Sequence, residues 1–560
     1  MALQQTAPRA PWKKIAFDGT RTPVKTLLFL LVCIAWIVPG LIGHDPWKPD
    51  EALNFGYINR ILQSGDWIVA PPGGESIVGK APLYSLSAVA FARALNGLLP
   101  VHDAARLATG FYMALAMLFT GLAARELYGF RFGRLTVLIL IGCLGLLLRA
   151  HEMVSDVALL AGLALAYWGM AKSRISGFAG GAAIGTGIGM AFMSKGLVAP
   201  AIICFTALLL PFAFREWRTL RYLQAWAVAV FAALPWFALW PLALNKRAPE
   251  LFTHWLSLNN ISGFFSGITN TPWQTLRFFV ELLPWYAWPA LPLAAWALWA
   301  NGRKGLHYPS TQLPLVGFVV SLAIIVLFAP QSDLSAMPML IPLSLLAAGG
   351  VDNLRRGAAS ALDWFGMMTF GILSFVLWLG FVAMFSGFPA RLAKRIAEYQ
   401  PGFTPQFHEL AFVLALALTI IWLMVVWRTR QSNRRAIVNW AAGITMFWLL
   451  AMALWLPYID HGRSYRSVFT ELKSALPPKH NCIAGKDLGE PQRALLSYYG
   501  VEVAAPLYQP LPANVGDECA LLLVQASPKK PTTLAGSWKK IWEGSRPGER
   551  NERFWLYQKN

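Results

Sequence analysis

Two adjacent acids, Asp50 and Glu51, and a lysine further along, Lys80, are the residues whose types best fit a catalytic role. A carboxylate partly shielded from water gains basicity, and a second carboxylate beside it can orient it. Lys80 supplies a cation that could neutralise a leaving phosphate. The three residues therefore suggest an acid that deprotonates a hydroxyl while an anionic group departs. Asp50 could equally be the N-cap of a helix that starts at Glu51.

Other polar candidates stand at the ends of apolar runs. His151, Glu152 and Asp156 lie between two short apolar runs, where they could support a polar cavity or form a solvated loop. Lys195 ends a Gly-rich run that suits close helix contact. Its ammonium group could bind the phosphate of a donor or simply extend to lipid phosphate at the membrane surface.

The segment 245–277 interleaves basic and aromatic residues and contains His254 and Arg277. This composition fits a site for a lipid phosphate and a sugar, although an ordinary interfacial loop has a similar composition. No second His or Cys stands at ligand spacing from His254. The sequence therefore predicts no required cofactor or metal, and it leaves the binding of a divalent metal open.

The composition predicts a polytopic α-helical membrane protein, because 56% of the residues are hydrophobic and only 14% are charged. A hydrocarbon core of about 30 Å requires roughly 20 apolar residues per helix. Thirteen runs are interpreted as spans: Val24–Gly43, Ala104–Ala124, Leu135–Leu148, Val157–Met170, Phe178–Met193, Leu197–Phe214, Tyr222–Leu244, Phe278–Ala300, Leu313–Ala329, Ser335–Val351, Phe365–Phe385, Leu410–Trp427 and Ile437–Tyr458.

The net charge of +20 could suggest a nucleic-acid partner, but its distribution indicates a membrane orientation instead. Basic residues concentrate in alternate loops, whereas the loops between them are balanced in charge. This positive-inside bias predicts a cytoplasmic N-terminus and no nucleic-acid partner. Counting Pro82–Val101 as a further span would place the basic clusters outside, so this run is interpreted as a helix on the outer surface.

The same topology divides the chain into two regions. Residues 1–458 form the predicted transmembrane region, whose first outer loop, 44–103, carries the candidate active site. Residues 459–560 have higher charge and short apolar runs, and they predict a small periplasmic α/β domain. Cys482 and Cys519 lie in this domain, where an oxidising periplasm would permit a disulfide.

Five short motifs occur in an order that resembles a known family. The chain resembles the GT-C membrane glycosyltransferases, in the branch that contains the lipid A aminoarabinose transferases and the protein O-mannosyltransferases. The motifs are Trp47-Lys48-Pro49-Asp50-Glu51, Ser64-Gly65-Asp66-Trp67-Ile68-Val69, Lys80-Ala81-Pro82-Leu83-Tyr84, Ala105-Arg106 and Met193-Ser194-Lys195-Gly196.

The resemblance implies sugar transfer from a polyprenyl-phosphate monosaccharide donor, undecaprenyl phosphate in a bacterium, at the periplasmic side of the inner membrane. The acceptor would be lipid A, another glycan or a protein, and membrane lipids would surround the enzyme. Asp50 would be the general base of a single inverting displacement, and Lys80 would contact the donor phosphate. Tyr84, which follows Lys80 in the same motif, would support the cavity.

The chain departs from the aminoarabinose transferases where that group reads its sugar. Ala52-Leu53-Asn54 stands where x-Arg-Tyr is usual after the acidic pair, and Gly79 stands where a Glu precedes the lysine. Gly263-Phe264 replaces an Arg–Phe pair, and 331–334 lacks the basic and tyrosine residues of the family. The sequence therefore leaves both the sugar and the acceptor open.

Two other functions remain possible on the sequence alone. A transporter or lipid flippase would also have many helices, but such proteins often contain internal repeats, and no convincing repeat is present here. The charged residues also cluster at one face instead of at mid-span. A polymerase or ligase of the same fold would use a diphosphate-linked glycan, so the donor distinguishes it.

Overall fold

Eight helices in the described part of the chain are long and apolar enough to cross a membrane. The computed structural model describes residues 23–69, 82–259, 271–428, 432–478, 480–504, 519–527 and 538–559. The eight are Val101–Tyr128, Gly177–Lys195, Leu220–Arg247, Pro309–Phe328, Leu334–Val351, Arg356–Ser386, Glu409–Arg428 and Asn433–Ala475. A multi-pass membrane protein is therefore confirmed, whereas the number thirteen stays a prediction.

The helices follow one another with short connections. The first nine are α1 (Pro23–Ile37), α2 (Asp50–Ser64), α3 (Leu83–Ala94), α4 (Val101–Tyr128), α5 (Phe132–Ile141), α6 (Leu146–Arg149), α7 (Ser155–Ser173), α8 (Gly177–Lys195) and α9 (Val198–Ala213). The next nine are α10 (Leu220–Arg247), α11 (Pro249–Asn259), α12 (Pro272–Tyr286), α13 (Ala290–Gly305), α14 (Pro309–Phe328), α15 (Leu340–Val351), α16 (Arg356–Ser386), α17 (Ala390–Tyr399) and α18 (Glu409–Arg428). The last three are α19 (Asn433–Arg463), α20 (Arg466–Ala475) and α21 (Glu490–Tyr498), and short 3-10 turns lie at Arg215–Trp217 and Leu334–Met339.

Two predicted spans are not continuous helices, and for these the prediction was wrong. The run Leu135–Leu148 is divided between α5 and α6, and the run Phe278–Ala300 is divided between α12 and α13. Pro289 contributes to the second break, because proline lacks a backbone donor and the residue before it disfavours the helical conformation.

The two breaks pair with each other. The backbone amides of Leu144 and Gly145 donate to the carbonyl oxygens of Trp288 (3.2 Å) and Tyr286 (2.9 Å). A Cβ on Gly145 would lie 2.1 Å from the ring of Tyr286, so only glycine permits this approach. Non-helical backbone is tolerated at membrane depth when it is buried in protein, and the pairing meets this condition.

The Gly-rich helix α8 packs closely between α7 and α10, as its composition predicts. A Cβ on Gly181 would lie 2.4 Å from the carbonyl oxygen of Ala225, and one on Gly185 would lie 2.2 Å from that of Ala229. Small residues allow backbones to approach in this way. The close packing fixes the ends of α7 and α8, where Asp156 and Lys195 lie.

Helix α2 begins at Asp50, and Pro49 occupies the N-cap position. The alternative in which Asp50 is the N-cap is therefore wrong. The predicted helical run over 52–62 is confirmed, and Ile58 and Ile61 are buried. The run Pro82–Val101 contains α3, whose twelve residues span only about 18 Å and cannot cross a bilayer alone. Its position on the outer surface stays a prediction.

A small mixed sheet follows the last long helix. Its strands are β1 (Ile483–Lys486), β2 (Leu521–Ala526), β3 (Trp538–Gly544) and β4 (Arg553–Lys559), in the order β1-β2-β4-β3. β1 and β2 are parallel, and β4 is antiparallel to both of its neighbours. Cys482 and Cys519 form a disulfide at the start of β1 and β2. The predicted α/β content is confirmed, whereas a boundary at residue 459 stays a prediction.

Candidate active site

Arg149, at the end of α6, holds three carboxylates from distant parts of the chain. Its guanidinium nitrogens lie 3.5 Å from Asp50, 2.7 Å from Glu152 and 2.9 Å from Asp333. Asp50 and Asp333 keep 39% and 37% of their side-chain surface exposed, whereas Glu152 keeps only 11%. Asp50 is therefore the accessible acid of the predicted pair, and its single long contact leaves its oxygens able to accept a proton.

Glu51 points in the opposite direction, into the protein. Its Oε1 lies 2.6 Å from Nε of Arg106, which is wholly buried in α4, and its Oε2 accepts the backbone amide of Trp47 at 2.9 Å. Although burial alone would raise it, the Arg106 guanidinium holds the pKa of Glu51 below its ordinary value. Glu51 therefore stays ionised and anchors the start of α2, and it is not open to a substrate.

The guanidinium of Arg106 also organises the chain before α2. It donates to Asp103 at 2.8 Å and to the carbonyl oxygens of Leu41 and His44, both at 3.1 Å. The segment from the end of α1 to Asp50 thus wraps around one buried cation. Buried ion pairs persist when their remaining hydrogen-bonding groups are satisfied, and those of Arg106 are.

The same segment is held from the C-terminal side. The indole nitrogen of Trp47 donates to Asp460 at 2.9 Å, and the ammonium of Lys48 lies 2.9 Å from Glu552. Asp45 forms an ion pair with Arg466. Asp50 is therefore fixed between the helices of the membrane region and the sheet region.

Asp156 and Lys195 form a second charged pair, at the facing ends of α7 and α8. Nζ of Lys195 lies 2.9 Å from the Asp156 carboxylate, which is buried, while 42% of the lysine side chain is exposed. Asp156 thus holds Lys195 in place, and the exposed part of the ammonium group remains available to an anionic ligand.

Tyr84 and His151 support the site from behind instead of lining it. The Tyr84 hydroxyl is bonded to Thr109 (2.7 Å), whose own hydroxyl donates to the backbone oxygen of Glu152 (3.0 Å). His151 is buried between the rings of Trp36 and Trp448, with ring centroids 4.9 and 4.5 Å away. Both residues therefore fix the loop that carries Glu152.

An apolar cavity of about 400 Å³ opens beside Lys195, between α8, α10 and α11. Phe192 and Phe237 stack in its wall at 4.1 Å, and Trp255 closes one side. Asp66, from the third-helix approach, pairs with Arg247 at the end of α10 at 3.0 Å. A hydrophobic pocket next to an exposed cation fits a ligand with an apolar chain and an anionic head.

The remaining predicted residues lie elsewhere or outside the description. Arg277 pairs with Glu281 on its own helix at 2.8 Å, and both side chains are largely exposed. Thr275, in the same turn as Arg277, receives a hydrogen bond from Gln331 near Asp333, at 3.3 Å. His254 is exposed on α11. Lys80 lies outside the described residues.

Sequence reasoning missed Arg149 and Asp333 as site residues. Each stands at the end of an apolar run, which is the position where other charged candidates were recognised. What sequence could not show is that the two lie in contact although 184 residues separate them. Among the described residues no group of three His, Cys, Asp or Glu side chains could hold a metal.

Glu152 gives the site a titration that can be tested. Burial raises the pKa of Glu152 to about 7, even though Arg149 acts in the opposite direction. The native protein then keeps this proton at a pH where the unfolded chain releases it, so stability is lost as the pH rises from about 4.5 to 7. The variant Glu152→Gln cannot titrate.

We expect Glu152→Gln to lose less stability than the wild type between pH 5 and pH 8, by on the order of 1–3 kcal/mol. Thermal unfolding of the purified protein at both pH values measures the difference. Glu398→Gln, at an exposed acid on α17, is the control and should behave as the wild type. An unchanged pH dependence in Glu152→Gln would show that Glu152 is ionised in the native protein at pH 5.

Comparison with known proteins gives consistent relatives. No family model matches the chain. It is 27% identical, over 448 residues, to the undecaprenyl phosphate-α-4-amino-4-deoxy-L-arabinose arabinosyl transferase of Pseudomonas aeruginosa, which covers 78% of this chain and 76% of the relative. The enzyme of the same name from Photorhabdus laumondii is 24% identical over 439 residues, covering 76% of this chain and 73% of the relative.

A solved structure shares the fold over almost the whole chain. It is ArnT from Cupriavidus metallidurans bound to undecaprenyl phosphate, which superposes with a TM-score of 0.67 at 17% identity and covers 95% of this chain and 98% of ArnT. Together with the curated relatives, this match confirms the resemblance carried by the motifs. The chain belongs to the GT-C superfamily of membrane glycosyltransferases, in the branch that includes the aminoarabinose transferases.

Proposed function

We propose that the protein transfers a sugar from a polyprenyl-phosphate monosaccharide to a hydroxyl group of an acceptor at the outer face of the bacterial inner membrane. The observation that carries the proposal is the exposed carboxylate of Asp50, held by Arg149 in the wall of a polar site. The apolar cavity beside Lys195 supports a lipid-linked donor. Relatives named as undecaprenyl-phosphate arabinosyl transferases favour undecaprenyl phosphate as the carrier.

The reaction is a single displacement that needs one base and a stabilised leaving group. Asp50 takes the proton of the acceptor hydroxyl, and the acceptor oxygen forms a bond to the anomeric carbon. The bond from that carbon to the phosphate oxygen breaks, and its electron pair stays on the departing polyprenyl phosphate. Lys195 and Lys80 stabilise this anion, and Arg277 can approach it from α12. Configuration at the anomeric carbon is inverted.

The other acids hold this arrangement in place. Glu152 and Asp333 orient Arg149, which keeps Asp50 directed into the site. Glu51 fixes the helix on which Asp50 stands, Asp156 fixes Lys195, and His254 lies on the helix that closes the apolar cavity. A phosphate that already carries its charge can leave without a metal, so we propose a metal-independent reaction.

The orientation follows from the charge distribution of the loops. The N-terminus is cytoplasmic, and the region from about residue 459 is periplasmic. The disulfide between Cys482 and Cys519 supports an oxidising compartment for this region. The acceptor would then be lipid A, another glycan or a protein in the periplasm.

The proposed reaction is tested by transfer in proteoliposomes. Purified enzyme is given an undecaprenyl-phosphate sugar and an envelope extract as acceptor, with and without a chelator. We expect labelled product in both cases and none with a diphosphate-linked oligosaccharide. Movement of the donor between leaflets without any transfer would support a flippase, and use of the diphosphate donor alone would support a polymerase or ligase.

The apolar cavity makes a prediction of its own. Ala238→Trp should fill part of it and raise KM for a donor with a full-length polyprenyl chain at least several-fold, because the chain loses buried contacts. A short-chain donor should be affected much less. Leu239→Trp is the matched control, since Leu239 is the next residue of α10 and is 71% exposed outside the cavity. Equal effects on both donors would place the lipid elsewhere.

A further inference from the structure

A second cavity, of about 510 Å³, lies away from Asp50, between α17, the C-terminal end of α19 and the turn that joins β3 to β4. Its wall includes three aromatic side chains, Tyr399, Trp455 and Tyr458, and two polar ones, Gln400 and Glu549. Its volume is within the range of about 300–1,000 Å³ that is usual for small-ligand sites. Nothing in the proposed reaction uses it.

The aromatic side chains present rings to this cavity because their polar ends are engaged elsewhere. The indole nitrogen of Trp455 donates to the carbonyl oxygen of Leu377 at 3.1 Å, and the hydroxyl of Tyr458 donates to that of Ile396 at 2.8 Å. Flat apolar surfaces of this kind match the C–H face of a sugar ring, which is apolar although its edges carry hydroxyl groups.

Hydrogen-bonding groups lie beside these rings. The side-chain oxygen of Gln400 is buried and has no hydrogen-bond partner among the described residues. The carboxylate of Glu549 pairs with Arg546 at 2.7 Å and keeps 23% of its surface exposed. A buried acceptor without a partner is costly, so a ligand hydroxyl that donates to Gln400 would stabilise the occupied state.

The helix that forms one wall adds positive charge. On α17, Arg391, Lys394 and Arg395 are exposed, while Ile396 is buried against the protein. Such an amphipathic basic helix binds at the surface of an anionic membrane, and its guanidinium groups are suited to phosphate oxygens. The cavity and its helix together match a sugar that carries phosphate and is attached to a lipid.

The cavity also lies close to the catalytic segment. Tyr458 and Gly462 face it from α19, whereas Asp460, on the other side of the same turn, is bonded to Trp47. A helix is about 10 Å across, so the occupant would lie about one helix diameter from the segment that carries Asp50. A ligand bound here could therefore extend to the site.

We propose that this cavity binds the phosphorylated sugar head of the acceptor, which is an anionic saccharolipid. The inference rests on the proposed function and names its acceptor class. The sugar ring packs against the aromatic wall and bonds Gln400, while its phosphate contacts the cations of α17. This binding holds the acceptor at a distance from the hydroxyl that reacts.

The test measures binding without turnover, so it can be interpreted whether or not the proposed reaction is correct. Native mass spectrometry in a sugar-free detergent compares purified lipid A with phosphatidylglycerol, which has the phosphate but no sugar ring. We expect the double variant Tyr399→Ala, Gln400→Ala to bind lipid A roughly tenfold more weakly than the wild type. Binding of phosphatidylglycerol and of undecaprenyl phosphate should be unchanged.

The matched control is Phe407→Ala, which removes an aromatic ring from the same outer segment, packed against Phe385 and Phe412 instead of the cavity. It should bind lipid A as the wild type does. Unchanged affinity for lipid A in the double variant would overturn the proposal. An equal loss of phosphatidylglycerol binding would also overturn it, because the cavity would then be a general phospholipid site.

Discussion

Asp50→Asn is expected to abolish sugar transfer while the protein remains folded and inserted. The amide has nearly the shape of the carboxylate but cannot accept the proton of the acceptor hydroxyl, and general bases contribute about 10²–10⁴-fold to rates. Since Asp50 is exposed and makes one long contact with Arg149, its loss should not disturb the fold. Binding of the polyprenyl-phosphate donor should be retained, so the defect should appear in kcat.

Asp333→Asn provides a matched control for this variant. Asp333 contacts the same guanidinium group and has almost the same exposure, 37% against 39%. If Asp50 acts only by holding Arg149, the two variants should have similar defects. If Asp50 is the base, Asp333→Asn should retain most of the activity. Wild-type rates in Asp50→Asn would refute the assignment of the base.

The membrane helices could be predicted from sequence because their signal is local. Each needs only a continuous apolar run, so every predicted span overlaps a helix of the structure. The break between Tyr286 and Ala290 could not be predicted in this way, because its carbonyl groups are satisfied by Leu144 and Gly145 from a distant part of the chain. Hydropathy alone does not report that pairing.

The candidate site shows the same division. Asp50 and Glu51 were recognised as a pair from their adjacency, but adjacent residues at a helix start point in different directions. The structure directs Asp50 to Arg149 and Glu51 to Arg106, and both arginines come from other helices. The separate environments of the two acids follow from these long-range contacts, and sequence could supply only the residue types.

The largest expected effect on stability comes from the ion pair that Glu51 forms with Arg106. Removing one partner of a buried pair leaves an uncompensated charge and costs about 3–5 kcal/mol. Arg106→Ala should be the more damaging change, because it leaves both Glu51 and Asp103 without their cation. Glu51→Ala leaves Arg106 paired with Asp103. Folded yield and thermal unfolding of the purified variants measure both effects.

A double variant and a conservative one separate positioning from catalysis. If Glu51 positions α2, the cost of the Glu51→Ala, Arg106→Ala pair should be smaller than the sum of the single costs, because the two residues stabilise one another. Glu51→Gln keeps an oxygen that can accept from Arg106, so it should retain substantial kcat per folded molecule. A stable Glu51→Gln protein without activity would instead place Glu51 in the reaction itself.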